Sequence, residues 1–245
     1  MVSNKSAYGK INQFFIFFAF IKKTRCLVSL SKLMFLITLF LTIMNIFNNY
    51  LTSYFIKNNN KNLEEIFQKS SRFFDFENDS YLPDYYLSGL YFSVSMILLV
   101  TFFSKKEKVF LPFFALNFFI WNATSFRYHD FVSSFLKNAY HLDIQNSYVE
   151  FIAWLAVLII LLPYIIYNIR KISPNDYGVV IALSIPFLML CFFAIFIDYL
   201  HEIYSNTYLN FPLMILEESG EILSGSLAFI TALAGLLYKH EKQSE

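Results

Sequence analysis

Long apolar runs separated by short polar segments dominate the chain. A segment of about 20 mainly apolar residues is needed to cross a hydrocarbon core of roughly 30 Å. Six segments come close to or exceed this length. They span residues 33–55, 85–104, 109–126, 148–167, 177–200 and 211–238. We therefore expect an all-α fold, a polytopic transmembrane helix bundle of about six spans.

The distribution of charge between these segments predicts the orientation of the bundle. Basic residues precede the first span, separate the second from the third and the fourth from the fifth, and follow the sixth. By the positive-inside rule these four regions are cytoplasmic, which places both termini in the cytoplasm. The basic residues are Lys5, Lys10, Lys22, Lys23, Arg25, Lys32, Lys105, Lys106, Lys108, Arg170, Lys171, Lys239 and Lys242.

Acidic residues occupy the opposite loops, which are therefore predicted to face outward. They are Glu64, Glu65, Asp75, Glu77, Asp79, Asp84, Asp130, Asp143 and Glu202. We expect a multi-pass protein of a bacterial inner membrane. Residues 1–32 would form a cytoplasmic or interfacial segment, and 33–238 the transmembrane domain with an outer loop at 57–84. Residues 239–245 would form a cytoplasmic tail.

The segment 11–21 is apolar but only about half the length of a span. Lys22, Lys23 and Arg25 follow it, so a longer span through residue 30 would bury three cations at high cost. We expect a helix that lies in the inner interface of the membrane. The alternative is a seventh span with an outward N-terminus.

Composition supports a membrane location and excludes several functions. Hydrophobic residues make up 57% of the chain and charged residues 15%, against about 25% charged in soluble domains. No basic face is present, which excludes a nucleic-acid partner. Membrane lipids are the expected surroundings, and a homo-oligomer or a membrane complex remains open. The two cysteines, Cys26 and Cys191, form no CxxC motif, which argues against a thiolate metal site.

Ionisable residues gather where four predicted spans meet the outward side. Such groups are costly near a bilayer core, so each one calls for an explanation. The set contains Arg127, His129 and Asp130 where the third span ends, Glu150 where the fourth begins, Asp198, His201 and Glu202 where the fifth ends, and Glu217, Glu218 and Glu221 in the first turns of the sixth. The predicted inner side shows no matching set beyond the Lys and Arg of its loops.

The spacing of these residues predicts which of them face the bundle. Asp198 and His201 are three residues apart and share a helix face, as do Glu218 and Glu221. A stripe of small residues, where transmembrane helices approach closely, continues inward from this glutamate pair. The stripe is Gly225, Ala228, Ala232 and Gly235. We therefore expect Glu218 and Glu221 to face the interior.

These side chains are suitable ligands for a divalent metal ion. Carboxylate and histidine residues three apart are used by helical bundles that hold di-iron or di-manganese centres, His with carboxylates suits zinc, and oxygen clusters suit calcium or magnesium. The candidate ligands are Asp198, His201, Glu217, Glu218, Glu221, His129 and Asp130, with Arg127 and Glu150 in support. Simpler explanations exist: Glu217 and Glu150 fit helix starts, and Arg127 with Asp130 fits a structural ion pair.

The leading hypothesis is an outward-facing acidic and histidine site that binds a cation, either a metal or protons. Its purpose would be transport, sensing or structural support. One alternative is a membrane-embedded enzyme that acts on a lipid-type substrate through a metal-activated water. Another is a non-catalytic subunit or sensor of a larger membrane complex. The chain has no GxSxG or HExxH motif and no glycine-rich phosphate loop. The motifs therefore do not decide whether the protein is an enzyme.

Overall fold

The computed structural model describes residues 3–57, 82–126, 131–132, 134–135, 138–139, 146–172 and 176–238, and its elements in these residues are all helices. The α-helices are α1 (Ser3–Lys23), α2 (Arg25–Lys57), α3 (Leu82–Lys105), α4 (Phe110–Phe126), α5 (Asn146–Ile169), α6 (Tyr177–Cys191), α7 (Asp198–Ile203) and α8 (Asn210–Leu237). A π-turn, Phe192–Ile197, joins α6 to α7. The predicted all-α fold is confirmed. The tail 239–245 and most of the predicted outer loop lie outside the described residues.

Among the described residues, four helices are long and apolar enough to cross a membrane. They are Arg25–Leu51, Leu82–Lys105, Tyr177–His201 and Asn210–Leu237. Of two shorter apolar helices, Phe110–Phe126 coincides with the third predicted span, and Ile159–Ile169 overlaps the second half of the fourth. The 17 residues of α4 rise about 26 Å, slightly less than a typical hydrocarbon core. The number of crossings and the side of each terminus stay predictions.

The helix predicted around the apolar segment 11–21 is α1, which extends from Ser3 to Lys23 and packs onto the bundle. A Cβ atom added to Gly178 would lie 2.3 Å from the backbone oxygen of Gln13, so α1 and α6 meet backbone to backbone. The side chain of Phe17 is buried, and its ring lies 5.4 Å from that of Tyr238. Because these contacts involve the start of α6 and the residue that follows α8, α1 covers one end of the bundle.

Helices α6 and α8 run antiparallel at close range. A Cβ atom on Gly235 would lie 2.8 Å from Val179, near the start of α6, and one on Gly220 would lie 2.3 Å from the Phe193 ring, in the π-turn. Glycine permits these approaches because it has no side chain to displace. The predicted small-residue stripe of α8 is confirmed as a packing face, since Gly225, Ala228, Ala232 and Gly235 are all buried.

The two ends of the bundle are distinguished by their charged residues. At one end α3 finishes at Lys105, α6 begins, and Tyr238 follows α8; we call this the lysine end. At the other end α7 carries His201 and α8 begins; we call this the histidine end. The predicted topology places the histidine end on the outer side.

Two groups of buried apolar side chains fill the space between the ends. The larger includes Phe17, Leu27, Val94, Leu98, Phe110 and Val179, and the smaller includes Leu41, Leu87, Tyr91, Leu116, Leu190 and Ile222. Outside this core, α2 and α5 expose many large apolar side chains. Examples are Leu33, Phe35, Leu36, Ile152, Ile159 and Ile160. Apolar exposure on this scale suits a protein surrounded by lipid.

Most polar side chains inside the helices bond to their own helix. The Ser95 hydroxyl donates to the Tyr91 carbonyl at 2.8 Å, and the Asn117 amide donates to the Phe113 carbonyl at 2.8 Å. Such bonds to the preceding turn let a polar residue enter an apolar helix without an unsatisfied donor. Three buried atoms have no partner among the described residues: Asn45 Nδ2, Tyr91 Oη and Ser226 Oγ.

The lysine end contains a buried ion pair that the sequence did not predict. Lys105 Nζ lies 2.7 Å from Asp176 Oδ1, and the two side chains are 14% and 5% exposed. The rings of Phe110 and Tyr238 lie 5.9 and 5.7 Å from the same ammonium group. The sequence indicated no set of ionisable residues here to match the one on the outward side, and a single carboxylate paired with a lysine does not form such a set. Asp176, in the short connection before α6, is held there by its contact with Lys105.

Candidate metal site

The π-turn places Asp198 and His201 at the histidine end. The Asp198 amide donates to the carbonyls of Ile195 and Phe193, and Phe193 is five residues earlier. A π-turn closes bonds five residues apart instead of four, which adds about one residue to that turn. The phase of α7 is therefore shifted relative to α6. The side chains of Asp198 and His201 therefore do not point in the directions that a regular α-helix continued from α6 would give them.

A close contact between the π-turn and α8 fixes the distance across the site. The Phe193 ring packs directly on the α8 backbone at Gly220, where an added Cβ atom would lie 2.3 Å from two ring atoms. Glu217 lies almost one turn before Gly220 on α8. The contact therefore brings Glu217 toward α7. Neither Phe193 nor Gly220 stood out in the sequence, although a glycine between Glu218 and Glu221 was a signal of close approach.

Three ionisable side chains from two helices meet beyond this contact. His201 Nδ1 lies 2.9 Å from Glu217 Oε2, and the two side chains are 24% and 13% exposed. Asp198 joins them: each of the three residues offers a ligand atom, and these atoms all lie within 4.8 Å of one another. The cluster is thus half-buried and reachable from the bundle end.

The structure brings together only part of the predicted ligand set. Glu218 and Glu221 are half-buried, and both make further interactions, as does Asp198. Arg127, His129 and Asp130 lie outside the described residues. Glu150 belongs to α5, and its side chain lies outside the described part.

Glu217 contacts another helix, which its position near the start of α8 did not suggest. A carboxylate in the first turns of a helix is often explained by the helix dipole alone. Here the Glu217 side chain instead bonds to the ring of His201, which belongs to the preceding helix. Its neighbour Glu218, which the small-residue stripe favoured, is not among the three residues whose ligand atoms meet.

The arrangement has the donor types and the accessibility of a metal site. One imidazole nitrogen and two carboxylates can supply three bonds and leave a position for water, the pattern of open zinc sites. Ligand atoms around a tetrahedral zinc ion stand about 3.4 Å apart, so a separation of up to 4.8 Å requires a contraction of up to about 1.4 Å. Side-chain rotation alone can supply a movement of this size at a partly exposed site.

Comparison of the chain with known protein families, with curated proteins and with solved structures found no match.

Proposed function

We propose that the protein binds a divalent metal cation at the histidine end of a membrane-embedded helix bundle. The observation that carries this proposal is the meeting of Asp198, His201 and Glu217, which two separate helices supply. Residues on one helix face come together through spacing alone. A cluster across two helices depends on tertiary packing, here the contact of Phe193 with Gly220.

The donor set favours a transition metal over calcium or magnesium. Calcium and magnesium sites in proteins are built from oxygen ligands, whereas imidazole suits zinc, iron, copper and nickel. A single imidazole with two carboxylates therefore makes Zn²⁺ the first ion to test, followed by Mn²⁺ and Fe²⁺. The Nδ1–H group of His201 can donate to Glu217 Oε2, and this bond would orient the ring so that its other nitrogen can face the metal ion.

The packing of the bundle favours a sensing or structural role for this cation over conduction. Two apolar layers, which include Leu41, Leu116 and Ile222 in one and Leu98, Val179 and Ala232 in the other, lie between the two ends of the described bundle. A cation held at the histidine end would tie α7 to α8. The bound cation would thereby stabilise the packing of the histidine end. In a sensor, its binding would depend on that packing.

Elemental analysis of the detergent-purified protein by ICP-MS tests the proposal. We expect about one zinc per chain after incubation with Zn²⁺ and removal of excess ion. His201→Gln and Glu217→Gln should each lose it. Asp84→Asn is the matched control, since Asp84 is an acid in the first turn of α3 that lies outside the cluster. Equal metal in all four proteins, or none in the wild type, would refute the site.

A further inference from the structure

The exposed charged side chains that the structure describes at the lysine end are all positive. Lys22, Lys23 and Arg25 stand where α1 meets α2, and four further cations stand in the connections that follow α3 and α5. These four are Lys106, Lys108, Arg170 and Lys171. The carboxylates described at this end are Asp176, which is buried in its ion pair, and Glu107, which is half-buried. The exposed surface of this end is therefore complementary to a negatively charged partner.

Only the fold brings these cations to one end, because they come from three separate connections. Leu27, Val109 and Ile172 follow the three groups of cations in the sequence, and all three belong to the same group of buried apolar side chains. The net charge of the whole chain is only +1, so the overall balance of charge does not indicate a basic surface. The structure instead concentrates exposed positive charge at one end of the bundle.

The outer face of α1 adds an apolar surface beside these charges. One face of α1 packs on the bundle through Phe17, while on the other face Phe15 and Phe18 are 61% and 46% exposed, and Ile16 is exposed as well. Helix α1 is not among the four described helices that are long and apolar enough to cross a membrane. A helix with an exposed apolar face and a basic end suits the boundary between acyl chains and headgroups.

Exposed aromatic rings stand directly beside the cations. Lys22 Nζ lies 5.0 Å from the centre of the Phe18 ring. On α5, the exposed Tyr167 ring has its centre 3.9 Å from Lys171 Nζ. A lysine stem can lie along an apolar ring while its ammonium group reaches the polar layer of a membrane, and tyrosine is typical of that layer. Both pairs therefore have the composition expected at headgroup level.

Helix dipoles do not account for all of these cations. A cation at the end of a helix interacts favourably with the dipole, which suffices for Lys22 and Lys23 at the end of α1. Lys108 instead lies directly before α4, and its carbonyl accepts a hydrogen bond from the Leu111 amide. A cation is disfavoured at this positive end of a helix dipole, and Glu107 supplies one negative charge against the two lysines that flank it. An external anion would offset the remaining repulsion.

We infer that the lysine end binds anionic phospholipids: the outer face of α1 contacts their acyl chains, and the exposed Lys and Arg side chains contact their headgroup phosphates. Each basic residue close to an anionic bilayer adds a favourable contribution to binding, so several of them together select anionic over zwitterionic lipid. The inference is independent of the proposed metal, because the three residues of the metal cluster lie at the opposite end.

Titration of the detergent-purified protein with phosphatidylglycerol and with phosphatidylcholine, both carrying the same fluorescent acyl chain, tests the inference. We expect the anionic lipid to bind about tenfold more tightly or better. Raising the KCl concentration from about 0.1 M to about 1 M should remove most of this preference, because it shortens the screening length from about 10 Å to about 3 Å. Equal affinity for the two lipids would mean that these charges only orient the chain during insertion. That result, or a preference that salt leaves unchanged, overturns the inference.

Two triple variants of the exposed cations between α1 and α2 test the role of charge. Lys22→Gln/Lys23→Gln/Arg25→Gln should lower the affinity for phosphatidylglycerol about tenfold, while Lys22→Arg/Lys23→Arg/Arg25→Lys, which keeps the charge, should bind like the wild type. The thermal midpoint in phosphatidylcholine and the zinc content should be unchanged in both. Unchanged lipid affinity of the glutamine variant overturns the inference, as does an equal loss in the two variants. Displacement of the lipid by an equal concentration of glycerol phosphate would indicate a site for a soluble anion and would also overturn it.

Discussion

The two ends of the bundle use an ion pair in different ways. At the lysine end Lys105 and Asp176 meet at 2.7 Å with 14% and 5% of their side chains exposed. At the histidine end His201 and Glu217 meet at 2.9 Å with 24% and 13% exposed. In the first pair the positively charged Lys105 ammonium group faces one carboxylate, and two aromatic rings lie close to it. The second involves a cation whose charge depends on pH, and a second carboxylate, Asp198, lies beside it.

The difference separates a structural charge pair from a candidate binding site. A buried pair with complementary charges resists the removal of either partner, because the other would remain buried and uncompensated. A partly exposed pair contributes less to stability, because water already screens it. The histidine end can therefore change its charges or bind an ion at little cost to the stability of the fold. At the lysine end a change in the charge of either partner would be costly, because the other partner is buried.

The largest expected effect comes from Asp176→Asn at the lysine end. The change leaves Lys105 charged in a site where it is largely buried, so the protein should lose about 3 to 5 kcal/mol of unfolding free energy. Thermal or denaturant unfolding of the purified protein measures this loss.

The control for this prediction is the double variant Lys105→Met/Asp176→Leu. Replacing a buried ion pair by apolar residues of similar volume is often neutral or stabilising, so the double variant should recover most of the loss. If Asp176→Asn alone costs less than about 1 kcal/mol, the pair is effectively solvated and the contrast between the two ends disappears.

The next largest effect is expected from Gly178→Ala, which tests the contact that holds α1 on the lysine end. The new Cβ atom would lie 2.3 Å from a backbone oxygen of Gln13, and a backbone atom cannot rotate away as a side chain can. We expect a loss of about 2 to 3 kcal/mol and faster tryptic cleavage after Lys22 and Lys23. Gly89→Ala is the control, since outside the neighbouring backbone of α3 no described atom lies within 4 Å of its added Cβ. Equal cleavage rates would show that α1 is not held by this contact.

The sequence predicted the helices well because their signal is local. Each apolar run specifies one helix by its own length, and the stripe from Gly225 to Gly235 specifies a packing face by its own spacing. The start of α2 at Arg25 rather than near residue 33 was missed, because hydropathy locates the apolar part of a helix and not its ends. Asp176 was missed for a different reason: its importance depends on a lysine 71 residues earlier.

The site was predicted only in part, since its geometry depends on two features that periodicity does not encode. Asp198 and His201 were correctly expected to share a helix face, and the structure gathers both in one cluster. Among the described residues Glu217 completes the cluster, and the stripe residue Glu218 is not one of its three members. The π-turn changed the phase of one helix, and the Phe193–Gly220 contact set the register of the other. The second feature is a tertiary contact between an aromatic ring and a glycine, which the spacing within one helix cannot reveal.

A smaller effect on stability is expected from Gly220→Ala at the histidine end. The added Cβ atom would meet the Phe193 ring at 2.3 Å, but a ring can move more easily than backbone, and alanine favours the helix by up to about 1 kcal/mol. We expect a net loss of about 1 to 2 kcal/mol. The displaced α8 should also carry Glu217 away from His201, so zinc affinity should fall at least tenfold in a titration. Gly89→Ala again serves as the control, and unchanged affinity would show that this contact does not position the site.

The smallest and most specific effect is expected from His201→Gln, measured without metal. Glutamine can still donate a hydrogen bond to Glu217 but carries no charge, so the wild type should be more stable by about 1 kcal/mol or less. Histidine ordinarily changes its charge between pH 5 and 8, and the ion pair exists only while His201 is protonated. The wild-type advantage should therefore be largest near pH 5.5 and decline toward pH 8, while the loss caused by Asp176→Asn stays nearly level. A pH-independent advantage of the wild type would mean that neutral His201 makes the contact. The contact between His201 and Glu217 would then be a fixed structural one, like the contact between Lys105 and Asp176. The histidine end would then offer no exchangeable charge for a cation to replace.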